Sequence, residues 1–97
     1  MKISEFQELI EKIYYKRDAE RGMPGTFMWF VEEVGELATA LREGNLKEQK
    51  EEFADVLAWL CTLASLTGIK MDEVVSKYTD GCPGCHKTPC VCPSKGY

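Results

Sequence analysis

Gly44-Asn45 stands between two long runs of helical periodicity, and this leaves the chain few folds to choose from. Upstream, Phe27, Phe30, Val31, Val34, Leu37, Ala38 and Leu41 recur at the spacing that gathers apolar side chains on one helical face. Downstream, Phe53, Val56, Leu57, Leu60, Leu63 and Ala64 do the same. A glycine stop followed at once by an Asn cap leaves no room for a long connection. The two helices must therefore return alongside each other as an antiparallel hairpin. Thr26 is expected to cap the first of them, Asn45 with Glu48 the second, and Gly68 to end the second.

Two further helices are expected to flank this hairpin. One begins after Ser4, with Gln7 as its capping-box partner, and carries the stripe Phe6, Leu9, Ile10, Ile13 and Tyr14. It ends near Arg21, where Gly22-Met23-Pro24-Gly25 forms a cluster of helix breakers. A shorter helix starts near Asp72 and runs to about Tyr78. No strand pattern or internal repeat competes with this reading. The predicted fold is all-α, a small four-helix antiparallel bundle over residues 1–80, followed by a Cys-rich C-terminal tail over 81–97. Cys61 falls inside a helix and is expected in the core. A chain of 97 residues has a thin core, so pairing with a second copy is expected to complete it.

The hairpin also carries acid in a pattern. At 100° per residue, Glu33 and Glu36 share one sector of their helix, beside the apolar stripe, with Trp29 close by. Glu52 and Asp55 occupy the matching sector of the return helix, with Trp59 beside them. Counted from the turn, Glu36 and Glu52 lie at nearly equal depth, about 12 Å along each helix. Glu33 and Asp55 face each other one turn deeper, and Trp29 and Trp59 one turn deeper again. Like charges at this spacing repel. A hard cation that seeks oxygen ligands would reverse the sign, and Mg²⁺ is the usual choice where phosphate supplies further ligands. A run of acid on a helix is more commonly just a solvated face. The matched pair at equal depth is what argues against that here.

The formal net charge of −4 disfavours a nucleic-acid partner, which needs a basic surface. It does not exclude a phosphate-bearing ligand approached through divalent cations. No apolar run is long enough to span a membrane, and the start Met1-Lys2-Ile3-Ser4-Glu5 lacks the features of a secretory signal. A cytoplasmic protein is the default expectation.

Glu32-Glu33-Val34-Gly35-Glu36-Leu37 followed by Glu52-Phe53-Ala54-Asp55-Val56-Leu57 resembles the MazG-like nucleotide pyrophosphohydrolases of the all-α NTP pyrophosphatase group. Their pattern is Glu-x-x-Glu, a spacer, then Glu-x-x-Asp. Glu33, Glu36, Glu52 and Asp55 match its metal-binding positions, and the resemblance covers roughly residues 1–80. It implies an enzyme that hydrolyses a nucleoside triphosphate to the monophosphate and pyrophosphate. It implies Mg²⁺ held by those carboxylates, a water attacking the α-phosphorus, and a homodimer or homotetramer whose subunits both line the site. Glu33 and Glu36 are candidates for the general base, and a metal-bound hydroxide is the alternative that needs none. The family often carries Asn-x-x-Lys followed by Phe or Tyr on its last helix. Lys77-Tyr78 fits, but Val74 stands where the Asn would be. Lys77 is accordingly read either as a phosphate contact or as an exposed lysine. Trp29 and Trp59 are read either as stacking surfaces for a nucleobase or as packing residues. Lys16, Arg17 and Arg21 either reach a phosphate or simply complement the end of their helix.

Four of the five cysteines remain to be placed, and these, Cys82, Cys85, Cys90 and Cys92, fall within eleven residues of the tail. C-x₂-C followed by C-x-C can supply a tetrahedral, structural Zn²⁺ site. Disulfides or an unliganded tail are the other readings. Two readings of the whole chain stand beside the enzyme. One is a module that binds nucleotide and metal without turnover. The other is a small zinc-stabilised interaction protein whose acidic hairpin is only a contact surface.

Overall fold

The protein was analysed as a computed structural model that describes residues 1–94, so the last three residues of the expected tail lie outside the described residues. Among the described residues it contains only helices: α1 (Ile3–Glu43), α2 (Leu46–Leu66) and α3 (Met71–Val74), which continues as a 3₁₀ turn over Val75–Tyr78. The all-α class is as expected, but the count is three α-helices, because the first two expected helices run together.

They meet at a corner. Gly22 has φ 77° and ψ 175°, outside the helical region, and helix resumes directly after it. That backbone conformation is open almost only to glycine. A straight helix of this length would measure about 60 Å; the longest dimension of the fold is 44 Å, so the two arms of α1 diverge sharply. Pro24 sits in the first turn after the corner, where its missing N–H leaves no helical bond unmade.

Two capping expectations are corrected here. The first helix starts at Ile3, one residue before Ser4, and Lys2 N–H donates to Glu5 Oε1 at 2.8 Å. Gln7 is therefore not a cap but a buried cross-link. Its Nε2 donates to the Ile69 carbonyl at 2.9 Å and to Ser65 Oγ at 3.1 Å, while its Oε1 accepts from Met71 N–H at 2.8 Å. Thr26 is likewise not an N-cap, because the break lies four residues earlier. It is fully buried, and its hydroxyl donates back to the Gly22 carbonyl at 2.8 Å. The hairpin turn is as expected. Gly44 is left-handed with φ 75°, and Asn45 Oδ1 accepts from Glu48 N–H at 3.1 Å.

Both arms of α1 run against α2, and this pair forms the main interface of the fold. Gln49 donates to the Ala40 carbonyl at 3.2 Å near the turn, Trp29 stacks on Trp59 further along, and Ser65 donates to Glu11 at 2.7 Å near the far end. α3 and its 3₁₀ extension leave α2 at 99°. The expected fourth helix is thus a single α turn that tightens. No single helix among the described residues is long and apolar enough to cross a membrane.

Among the described residues the buried apolar set is small: Ile10, Ala40, Cys61 and Met71. Much of both predicted stripes stays open. Phe27 is 53% exposed, Val31 51% and Phe53 54%, and Val34, Leu41, Leu57 and Leu60 are exposed with them. One kinked helix and one return helix cannot cover each other on every apolar face.

Candidate functional site

Helical spacing and the tight turn bring the acidic residues together as the wheel predicts. Glu33 and Glu36, from the second arm of α1, and Glu52, from α2, each offer a carboxylate oxygen within 4.8 Å of the others. Asp55 stands just outside this closest group, yet its charge is felt by both Glu33 and Glu52. The electrostatic cost is visible. Burial first, then the neighbouring Glu36 charge, pushes Glu33 up to about 7 from its ordinary 4.5. Burial and Glu36 also raise Glu52. Such crowding is expected when acids share a site with no cation between them.

Two of the oxygens have nowhere to turn. Glu33 Oε2 and Glu52 Oε2 are buried without a hydrogen-bond donor. Unpartnered buried acceptors are uncommon in folded proteins, and a bound ion is one of the few ways to satisfy them. The donor set is all carboxylate oxygen, which suits a hard divalent cation better than a thiophilic one. The residues present therefore fit Mg²⁺.

Beside the carboxylates lies a cleft of about 370 Å³, whose lining includes Tyr14, Arg17, Arg21, Trp29, Glu33, Asp55 and Trp59. The volume is of the size that takes a small organic ligand. Trp29 and Trp59 meet in it as predicted, their rings 6.1 Å apart and 11° from parallel. Arg21 lies over the Trp59 ring at 4.8 Å. Arg17 and Arg21 bring positive charge to a wall facing the acid, so the cleft is bipolar. Lys77, in contrast, is not among the lining residues; its ammonium lies 5.7 Å from the Tyr78 ring.

The sequence reading missed the support behind this wall. Asp18 is buried, accepts from Arg21 Nη1 at 3.0 Å and accepts from the Thr62 hydroxyl at 3.3 Å. Arg21 Nη1 also donates to Thr26 Oγ1 at 3.2 Å. Asp18, buried and held on its second oxygen by Thr62, fixes the half-buried Arg21 in place. Its signal was present: Ile10, Tyr14 and Asp18 recur at intervals of four, so an acid continues an apolar stripe.

A comparison with protein-family models matches residues 22–88, more than half of the chain, to the MazG nucleotide pyrophosphohydrolase domain. The match begins at the corner of α1 and runs past the helices into the cysteine segment. A search of curated proteins finds no match.

Proposed function

The chain belongs to the MazG nucleotide pyrophosphohydrolase family, and from that premise we propose that it hydrolyses a nucleoside triphosphate to the monophosphate and pyrophosphate with Mg²⁺. One observation carries the reading: three carboxylates from two helices converge, with two buried oxygens left unpartnered, beside a cleft lined by arginines and indoles. Glu33, Glu36, Glu52 and Asp55 would hold the metal. When bound, Mg²⁺ would supply Lewis-acid chemistry to the phosphate undergoing attack.

The chain's own groups divide the remaining work. Arg17 and Arg21 attract the polyphosphate to an otherwise acidic hairpin. The Trp29–Trp59 stack offers a flat apolar face to a nucleobase, and Asp18 holds Arg21 against it. Either Glu33 or Glu36, whichever keeps an oxygen off the metal, would accept a proton from the attacking water. Lys77 is assigned at most a phosphate contact from outside the cleft.

We assign the open apolar faces of α1 and α2 to a second copy of the chain. Phe27, Val31, Phe53 and Leu57 are all exposed, and apolar side chains left open on helix faces are what a protein partner covers. A homodimer or homotetramer is expected by sedimentation, with Phe53→Asp shifting it towards monomer. The domain is assigned to residues 1–80 and the tail to 81–97. No nucleic-acid or membrane partner is proposed, and the expected location is cytoplasmic.

The decisive experiment incubates each nucleoside triphosphate with the protein and Mg²⁺ and measures pyrophosphate. Release that vanishes in Glu36→Gln supports the enzyme. Nucleotide binding without product would leave a binding module, and no effect of Mg²⁺ on nucleotide binding would leave an interaction protein.

A further inference from the structure

The segment after the 3₁₀ turn has no helix or strand from residue 79 to residue 94, yet it folds into a closed loop. Irregular chain of this kind loses much entropy when ordered, and something must offset the loss. Little apolar burial is available, since Cys90 and Val91 are exposed. What the loop does instead is bring four sulfurs to one point. The Sγ atoms of Cys82, Cys85, Cys90 and Cys92 all lie within 4.8 Å of one another. Cys82 and Cys92 are 3.7 Å apart, and Cys85 and Cys90 3.9 Å. A tetrahedron of sulfurs around zinc, with bonds of about 2.3 Å, has edges of about 3.8 Å.

We propose that Cys82, Cys85, Cys90 and Cys92 bind one Zn²⁺ as a tetrathiolate site that fastens the C-terminal segment into its loop.

The backbone is arranged for this. The Cys82 carbonyl accepts from His86 N–H at 2.7 Å, and Cys82 N–H donates to the Lys87 carbonyl at 3.0 Å, wrapping the chain around the first pair of thiols. His86 takes φ 59°, the left-handed turn that brings the chain back. Gly81 allows the closure, because a Cβ there would lie 2.9 Å from Thr88 Oγ1 and 3.0 Å from the Lys87 carbonyl oxygen. Backbone amides point at the sulfurs. Gly84 N–H donates to Cys82 at 3.3 Å, Val91 N–H to Cys85 at 3.4 Å and Cys92 N–H to Cys90 at 3.3 Å. Donors aimed at three of four sulfurs favour thiolate, the form that ligates metal. The sulfur pairs are far beyond disulfide bonding distance, and all four thiols are free. Four thiolates leave no open coordination position, so this site holds structure rather than substrate.

Purified full-length protein, handled without oxygen, should retain about one zinc per chain that is released on titrating its thiols. Replacing zinc by Co²⁺ should produce the sulfur-to-cobalt charge-transfer band and the intense visible bands of tetrahedral cobalt. A cation held by the carboxylate cluster gives neither, so the two sites are read separately. Cys85→Ser and Cys90→Ser should each weaken Zn²⁺ binding about 100-fold or more, while Cys61→Ala should keep the cobalt spectrum. Should the Ser variants fail to fold, alkylation of the wild type decides: zinc should shield four thiols and chelation expose them. Zinc absent together with a cobalt spectrum lacking charge transfer would overturn the assignment. So would native disulfides among the four cysteines, or iron in place of zinc.

Discussion

The carboxylate cluster and the cysteine loop both gather anionic ligands, but they do so by opposite means. Glu33, Glu36 and Glu52 converge because two long helices hold them at fixed depth. The four cysteines converge in a stretch without helix or strand, where the ligand would itself be the organiser. The first site is built under strain and keeps a cleft beside it; the second is closed on itself. Hard oxygen and soft sulfur further sort which cation each accepts. On the two proposals made above, one chain would keep an exchangeable metal apart from a permanent one.

This contrast can be broken most sharply from the helical side. Asp55→Asn should reduce pyrophosphate release by about 100-fold or more, with the tetrahedral cobalt spectrum unchanged. Loss of both would mean that the regions are not separate. Trp59→Ala should raise KM by about tenfold and change kcat less, because stacking contributes to binding the base rather than to the chemistry. An equal fall in kcat with KM constant would move Trp59 from binding to positioning.

The third test concerns strain. Glu33 binds its proton more tightly in the folded protein, at about 7, than at the ordinary 4.5 of an unfolded chain. Its contribution to stability is thus complete below 4.5 and lost as pH rises through 7. Thermal melts of metal-free protein should show stability declining across that window, and Glu33→Gln should flatten the decline. A melting temperature that rises between pH 4.5 and 7, unchanged by Glu33→Gln, would contradict the crowding. The smallest expected effect lies on the other side of the comparison. Cys85→Ser should leave pyrophosphate release within about twofold of the wild type, as independent sites allow.

Where the sequence was legible, periodicity and a short turn did the work. Nothing intervenes between Glu33 and Glu52 except helix and Gly44-Asn45, so counting residues was enough to pair Trp29 with Trp59. Capping chemistry misled at Gln7 and Thr26. Both residue types recur at helix starts, and only tertiary structure reveals that one reaches Ile69 and the other lies four residues inside the break. Asp18 was passed over because a single acid at the edge of a stripe carries no pattern of its own. The spacing of each stripe defines one apolar face, yet Phe27 and Phe53 remain open in one chain. A periodic pattern says that a face seeks cover and is silent on whose.

Gly22 turns α1 with one residue and no loop, and such a corner has no slack. One residue inserted between it and Glu33 would rotate Glu33 about 100° around its helix relative to Arg17 and Arg21 on the first arm, while the Gly44-Asn45 turn would still hold Glu33 and Glu36 opposite Glu52. No flexible joint stands between the two arms to absorb the added length. Through this part of the chain the count of residues is itself a functional quantity, and deletions should prove more harmful than most exchanges of one side chain for another.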